Sequence, residues 1–339
     1  MKLGTFIAKT GLRLIVTYVT IIALFFFIVR ILPTLILGPH ADPLLIALKR
    51  SGDDPRFSHW VEETAKLYGY HLPLFPHQFL TYMSNTLLLN FGISLYTQKP
   101  VLEDIALRLP YTLSLYTAAT ILPIIIGYYL GVVSAKHRGG KLDSFLVQLS
   151  IVSYVIPAWL VLLLIYYFLA YLPKRLWDTY IFPLPTRPPS ITVLDFESLK
   201  YLLWYISPLI IAAVAAWTGS WIYFIRQLIV SELAQDYVVT ALAKGLTETE
   251  VLTKHVIPNT RPPLIMRLAY TLPGIFGGAY IFELISNWPG IAQLSLNAFT
   301  NWDFPLMVAF FTISTVLLLI SLFIAEIVIA IVDPRVRLR

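Results

Sequence analysis

Hydrophobic residues fill long stretches of the chain, and charged residues are confined to the segments between them. Four stretches contain no Asp, Glu, Lys or Arg, and each exceeds the roughly 20 residues that an α-helix needs to cross a bilayer. These stretches lie between Arg108 and Lys136, between Asp143 and Lys174, between Lys200 and Arg226, and between Asp303 and Glu326. The pattern predicts four transmembrane helices.

Two further apolar segments complete the predicted membrane domain. Residues 14–32 follow a basic tail, and no small-residue cleavage site comes after them, which predicts an uncleaved membrane anchor. The long side chain of Arg30, near the outer end of this segment, is predicted to snorkel to the membrane interface. Residues 263–285 are interrupted by helix-breaking residues, namely Pro273, Gly274, Gly277 and Gly278. Such residues are tolerated at membrane depth where neighbouring helices or a water-filled cavity satisfy the backbone. We therefore predict an all-α polytopic membrane protein with six transmembrane helices, the fifth of which lines a pathway.

Composition supports a membrane protein and narrows its chemistry. Of the 339 residues, 58% are hydrophobic and 13% are charged, and the mean hydropathy is +0.74. The net charge of +6 fits contact with anionic headgroups, and no basic patch with interleaved aromatic residues indicates nucleic-acid binding. The absence of cysteine excludes disulfides and thiolate metal sites.

The distribution of Lys and Arg between the short loops predicts the orientation. The link "SAKHRGGKLD" and the tail "DPRVRLR" are basic, whereas "SNWPGIAQLSLNAFTNWDF" contains neither Lys nor Arg. By the positive-inside rule both termini are cytoplasmic, which an even number of spans satisfies. We divide the chain into a tail and first span (1–33), an external helical cap (34–108) and a transmembrane core (109–339).

A polar, amphipathic stretch interrupts the core: "QDYVVTALAKGLTETEVLTKHVIPNTRPPLI". Residues 232–244 are expected to continue the fourth span, and Gly245 to end that helix in a left-handed cap. Thr247 and Glu250 have the spacing of a capping box, so a second helix is predicted to start there. Pro258 is predicted either to stop this helix or to fall just past its last turn. On that helix, Val251, Leu252, His255 and Val256 are predicted to share one face.

A helix this short is unstable alone, so its apolar face needs a cover. One interpretation lays the helix on lipid headgroups. The other makes it a docking element for a soluble partner, with Ala241 and Gly245 small enough to allow close approach. Glu248 and Glu250 favour docking, because an interfacial anchor would carry mainly Lys and Arg.

The same stretch resembles the EAA loop of permease subunits of binding-protein-dependent ABC importers, through the spacing of Ala241, Gly245, Ile257 and Pro258. Val239 and His255 depart from the common pattern but are similar to the dipeptide and oligopeptide branch. The similarity continues through "FGISLYTQKPVLEDIALRLPYTLSLYTAATILPIIIGYYLGVVSA" and "WPGIAQLSLNAFTNWDFPLMVAFFTI" to "IVDPRVR", so it covers nearly the whole chain.

The resemblance implies a type I importer-like permease fold in a prokaryotic cell membrane. It implies two permeases, as a heterodimer or a pair of identical chains, with two cytoplasmic ATPases and an external solute-binding protein. ATP and Mg²⁺ would be bound by the ATPases, and this chain would be neither an enzyme nor a cofactor carrier; it contains no Gly-x-x-x-x-Gly-Lys-Ser/Thr sequence. The residues assigned to ATPase coupling, within a loop at 232–262, are Thr240, Ala241, Gly245, Leu246, Glu250, Val251, His255, Ile257 and Pro258.

Two acidic residues near the predicted spans have open roles. Glu283 is a candidate pathway residue, as an external gate or binding-protein contact, or an ordinary helix-interface position. Glu326 is either a structural polar contact or part of the pathway.

Two other function classes are kept as alternatives. An ion-coupled secondary transporter would carry ionisable residues in the middle of several spans, and a polytopic membrane enzyme would need converging acid, base or metal ligands. Under the ABC interpretation, the solute is a peptide, an oligosaccharide or a metal complex, and the sequence does not distinguish them.

Overall fold

The computed structural model describes residues 3–38, 41–50, 55–188, 196–271 and 280–332, and these residues are almost entirely helical. Within these ranges the extended structure amounts to one isolated bridge between Ile93 and Pro100. The helices are α1 (Leu3–Leu37), α2 (Pro43–Arg50), α3 (Pro55–Leu67), α4 (Phe79–Leu87), α5 (Val101–Lys136), α6 (Lys141–Val155), α7 (Ala158–Trp177), α8 (Phe196–Leu233), α9 (Asp236–Ala243), α10 (residues 248–259), α11 (Arg261–Thr271), α12 (Tyr280–Ser286), α13 (Ile291–Asn301) and α14 (Phe304–Val332). The predicted all-α fold class is confirmed.

Five of these helices are long and apolar enough to cross a membrane: α1, α5, α7, α8 and α14. The predicted fifth span corresponds to α11 and α12, and the Pro- and Gly-rich residues between them lie outside the described part of the chain. The count of six therefore stays a prediction.

The predicted third span is divided in two. Ile156 adopts an extended backbone with ψ of 123° between α6 and α7. Pro157 follows it, and a residue that precedes proline is driven out of the helical region by contact with the pyrrolidine ring. The continuous helix expected between Asp143 and Lys174 was therefore wrong.

Three helices contain a wide, π-helical turn that ends shortly before a proline. The turns and their prolines are Phe27–Ile31 with Pro33, Tyr167–Tyr171 with Pro173, and Leu252–Val256 with Pro258. In each case the residue before the proline donates its N–H to the carbonyl five residues earlier. Proline lacks an N–H and its ring collides with the carbonyl four residues back, and the wide turn makes room for that ring. Each helix thus continues through its proline.

The chain divides into two compact units. The first contains Met1–Thr112 and Pro289–Ile327, so it joins α1, the helices of the predicted cap and the first part of α14. Its core combines aliphatic and aromatic side chains: Phe26 lies 4.9 Å from Tyr82 between ring centroids, and Tyr68 lies 5.0 Å from Phe304. The cap therefore shares one core with the first helix, whereas the sequence-based division separates them.

Two charges expected at the membrane boundary are neutralised within this first unit. Arg30 forms an ion pair with Asp42 and lies 4.3 Å from the ring centroid of Tyr70, and its predicted position at the membrane interface stays a prediction. Glu326 accepts hydrogen bonds from Arg13 at 2.5 Å and from the Thr10 hydroxyl at 3.3 Å. These contacts agree with the structural interpretation of Glu326.

The second unit contains Leu113–Trp288 and is organised around α8. Helix α5 approaches α8 at Gly127 and Gly131. A Cβ atom built on Gly131 would lie 2.6 Å from the Ile225 Cβ, and one on Gly127 would lie 2.3 Å from the Trp221 Cβ. Only hydrogen fits at such a contact, which is the small-residue packing common between membrane helices.

Candidate functional site

The predicted coupling segment, residues 232–262, begins with a break instead of a continuous helix. Helix α8 ends at Leu233 and α9 begins at Asp236, with Gln235 extended between them (φ −84°, ψ 148°). The expected continuation of the fourth span through residue 244 was wrong. Asp236 at the start of α9 explains the local preference, because a carboxylate is favoured near the positive end of a helix.

Gly245 ends α9 in the predicted left-handed conformation, with φ of +85°. Its N–H donates to the Leu242 carbonyl at 2.9 Å, and the Leu246 N–H donates to the Ala241 carbonyl at 3.4 Å. These are the two hydrogen bonds of a Schellman motif. A Cβ on Gly245 would meet nothing within 4 Å, so the glycine is required for its backbone angle and leaves open space beside it.

The predicted capping box at the start of α10 is confirmed. The Glu250 N–H donates to the Thr247 hydroxyl at 3.3 Å, and the Thr247 N–H donates to the Glu250 carboxylate at 3.1 Å. Lys254 donates to the same carboxylate at 3.0 Å. The Lys254 ammonium and the bonds from Thr247 lower the pKa of Glu250 to about 2, so the cap is ionised at neutral pH.

Pro258 neither stops α10 nor falls past its last turn, the two predicted alternatives, but lies inside the helix. The wide turn Leu252–Val256 accommodates the proline, and the helix ends at Asn259. The turn also changes which side chains share a face: Val251, Leu252 and Val256 are buried, whereas His255 is exposed. The predicted placement of His255 on the apolar face was wrong, because the wide turn shifts the helical register.

The apolar face of the segment is covered by the chain itself. Val251, Leu252 and Val256 form one buried cluster with Ile225 and Ile229 of α8. Val238 and Ala241 of α9, together with Ala135 of α5, belong to the same cluster. Neither lipid headgroups nor a partner is needed to cover this face. The small size of Ala241 serves packing within the chain.

The opposite face is open. Thr240 and Gly245 are exposed, as is His255 on α10, and Glu250 is partly exposed. Val239 and Leu242 are exposed to 68% and 42%, which is unusual for aliphatic residues in an otherwise polar segment. The remaining predicted coupling residues, Leu246, Ile257 and Pro258, are partly buried.

Of the candidate pathway residues, Glu283 alone lies in the described part of the chain. Pro273, Gly274, Gly277 and Gly278 lie outside the described residues. Glu283 lies on α12 with no exposed surface, next to Phe282, whose ring stacks on Trp217 with 5.8 Å between centroids. The Glu283 carboxylate is therefore not accessible to an external protein in this conformation.

Sequence reasoning missed a polar network at the base of α5, α6 and α8. Asp143 is buried, and both its oxygens pair with Arg226 while also accepting bonds from Ser134 and the Gly139 N–H. The sequence does contain a signal for this network, because Asp143 and Arg226 each lie at the end of a charge-free stretch. What the sequence does not show is that they meet across 83 positions.

The long apolar helices of the described residues define a polytopic membrane protein. The chain belongs to the family of binding-protein-dependent transport system inner membrane components, whose model matches residues 127–338.

Full-length relatives agree with this family. A dipeptide transport system permease protein of Lactococcus lactis is 30% identical over 330 residues, with 96% of each chain covered. An oligopeptide transport system permease protein of Bacillus subtilis is 33% identical over 298 residues, covering 87% of this chain and 89% of the relative. A glutathione transport system permease protein of Escherichia coli is 28% identical over 343 residues, with 98% of each covered.

Proposed function

We propose that this chain is the membrane-spanning subunit through which an ABC importer moves a peptide-type solute. Family membership supports the permease role, and the names of the relatives, which cover peptides and glutathione, favour a peptide over an oligosaccharide. The complete importer would contain a second permease, identical or different, two ATPases that bind ATP and Mg²⁺, and an external solute-binding protein.

One observation supports the coupling role: the segment between α8 and α11 packs one face against the rest of the chain and exposes the opposite face to solvent. The Schellman motif and the capping box fix its two helices, and its apolar residues are buried against α8. A push on the exposed face would therefore pass to α8 instead of bending the segment. ATP-driven closure of an ATPase dimer would move the attached spans in this way.

Cross-linking tests the docking face, and the chain suits it because it contains no cysteine. Thr249 is exposed on α10, and the variant Thr249→Cys is labelled with a photoactivatable thiol reagent in the assembled complex. We expect an adduct with the co-purifying ATPase subunit. Arg138→Cys, exposed on the link between α5 and α6, is the control and should give a much weaker adduct. Equal labelling of the ATPase from both positions, or none from Thr249→Cys, would contradict docking at this face.

Orientation is tested with single cysteines in the same cysteine-free chain. We propose that both termini and the coupling segment are cytoplasmic, on the basis of the positive loops. An impermeant thiol reagent should label Thr300→Cys, exposed at the end of α13, in intact cells. It should label Thr249→Cys only after the membrane is opened. Labelling of Thr249→Cys in intact cells reverses the proposed orientation.

A further inference from the structure

A cavity of about 420 Å³ opens in the second compact unit, between α6, α8 and α11. Two of these helices, α8 and α11, flank the coupling segment in the sequence. The surface of the cavity wall is almost entirely apolar, and the polar side chains among its lining residues are Ser150, Ser220, Gln227 and Arg267. The cavity thus combines apolar surface with one cationic side chain.

Arg267, in the second turn of α11, has an unusual environment. Its guanidinium carbon lies 4.3 Å from the Trp221 ring centroid and 4.2 Å from that of Phe224. Nη2 donates to the Ser220 hydroxyl at 3.3 Å. Among the described residues it forms no ion pair with a carboxylate, although Arg226, on the neighbouring α8, pairs with Asp143.

This arrangement leaves the guanidinium able to bind an anion. A guanidinium has five N–H donors in a planar fork that matches a carboxylate, and only one hydrogen bond occupies it here. The two aromatic rings hold the cation in place and partly stabilise it without neutralising its charge. The Ser220 hydroxyl that accepts this hydrogen bond donates its own proton to the Trp217 carbonyl at 3.0 Å, so it orients the guanidinium, and the amide of Gln227 is a further polar group of the same cavity.

We propose that this cavity is a transient site for the carboxylate of a peptide-type solute on its way through the permease, with Arg267 as the ligand. The inference rests on the proposed function and adds what the pathway recognises. The apolar surface around Arg267 suits varied peptide side chains. The site would therefore recognise the carboxylate charge of the peptide and not the identity of its side chains. Helices α8 and α11 connect the cavity to the proposed coupling segment along the chain.

The test compares a peptide that has a free carboxylate with its C-terminal amide in proteoliposomes that contain the complete importer. Uptake is measured with the binding protein loaded to equal occupancy by each peptide, so that external recognition is held constant. We expect wild type to favour the free acid, and Arg267→Gln to reduce that preference about tenfold through slower uptake of the acid alone. Arg267→Lys should retain part of the preference, because it keeps the charge and loses the planar fork. Arg138→Gln, on the exposed link, should change neither rate.

The outcomes separate this inference from the proposed function. If wild type takes up peptides and Arg267→Gln leaves the acid-to-amide ratio unchanged, the carboxylate site is wrong and the permease role stands. An equal fall for both peptides means a structural role for Arg267 and overturns the inference as well; thermal stability of the variant checks that case. Failure of wild type to take up either peptide contradicts both proposals.

A lipid headgroup phosphate is the other anion that fits a guanidinium in a membrane protein. The same variants are therefore compared in liposomes with and without phosphatidylglycerol. If Arg267→Gln abolishes a dependence on that lipid while the acid-to-amide ratio stays at the wild-type value, the cavity is a lipid site and the inference is overturned.

Discussion

Asp143 and Arg226 form a two-pronged ion pair, with Nε 2.6 Å from Oδ1 and Nη2 2.7 Å from Oδ2. The Ser134 hydroxyl donates to Oδ1 at 2.6 Å and the Gly139 N–H donates to Oδ2 at 2.9 Å. One carboxylate therefore joins the end of α5, the following link, the start of α6 and the lower part of α8. The coupling segment follows α8 in the chain, so this ion pair fixes the C-terminal part of α8 from which the segment begins.

Removing the carboxylate charge should destabilise the permease. Asp143→Asn leaves the Arg226 guanidinium, whose side chain is 16% exposed, without its anion, and breaking a buried pair in this way costs about 3 kcal/mol. Thermal unfolding in detergent measures the loss. The control is Lys174→Met, which breaks an exposed pair with Asp178 and should cost less than about 1 kcal/mol. Equal effects of the two variants would contradict a structural role for the buried pair.

The left-handed cap at Gly245 gives a second prediction. Gly245→Val should cost about 1 kcal/mol or more and weaken ATPase association, because a β-branched residue is strained at φ of +85°. Gly245→Asn is the matched control, since asparagine tolerates this conformation and the neighbouring space is open. Co-purification of the ATPase measures the effect. If both variants behave alike, the backbone angle is not what matters.

The capping box predicts a dependence on pH. The folded pKa of Glu250, about 2, lies below its ordinary value of 4.5, so its contribution is fully present above pH 4.5 and is lost as the pH falls toward 2. Lys254→Met removes the largest cause and should raise the pKa. Carbon NMR of the labelled Glu250 carboxyl group measures both values. Lys244→Met removes a lysine outside the box and should leave the titration unchanged; an unshifted pKa in Lys254→Met contradicts the assignment.

Close packing of α5 on α8 gives the fourth prediction. Gly131→Leu should separate the two helices and prevent a stable fold, because even a Cβ would lie 2.6 Å from the Ile225 Cβ. Gly11→Leu is the control, because the nearest atom to a Cβ built on Gly11 is a side-chain ring atom of Phe323 at 3.9 Å, an ordinary contact distance. Yield of monodisperse protein after solubilisation compares them. Normal yield of Gly131→Leu would show that the helices do not pack this closely.

Features whose causes lie within a few residues were predictable from the sequence. The cap at Gly245 and the box from Thr247 to Glu250 depend on local backbone angles and on side chains three positions apart. The apolar spans follow from the length of charge-free stretches, apart from the interruption at Pro157. Local chemistry was sufficient for these elements.

The rest depends on contacts between distant residues. His255 was placed on the apolar face by an ideal helical period, and the wide turn before Pro258 changed that period. The partner of Arg226 is 83 positions away, and the cover for Val256 comes from α8. Periodicity identifies the apolar side chains but not the surface that they contact.

The wide turn at Leu252–Val256 stores one residue more than an ideal α-helical turn would use. A single deletion within it would leave an ordinary turn, in which the Pro258 ring collides with the carbonyl four residues back. The helix would then have to kink or end before the proline. The length of this segment is therefore fixed to the residue, because one residue fewer would break the helix that presents the exposed face.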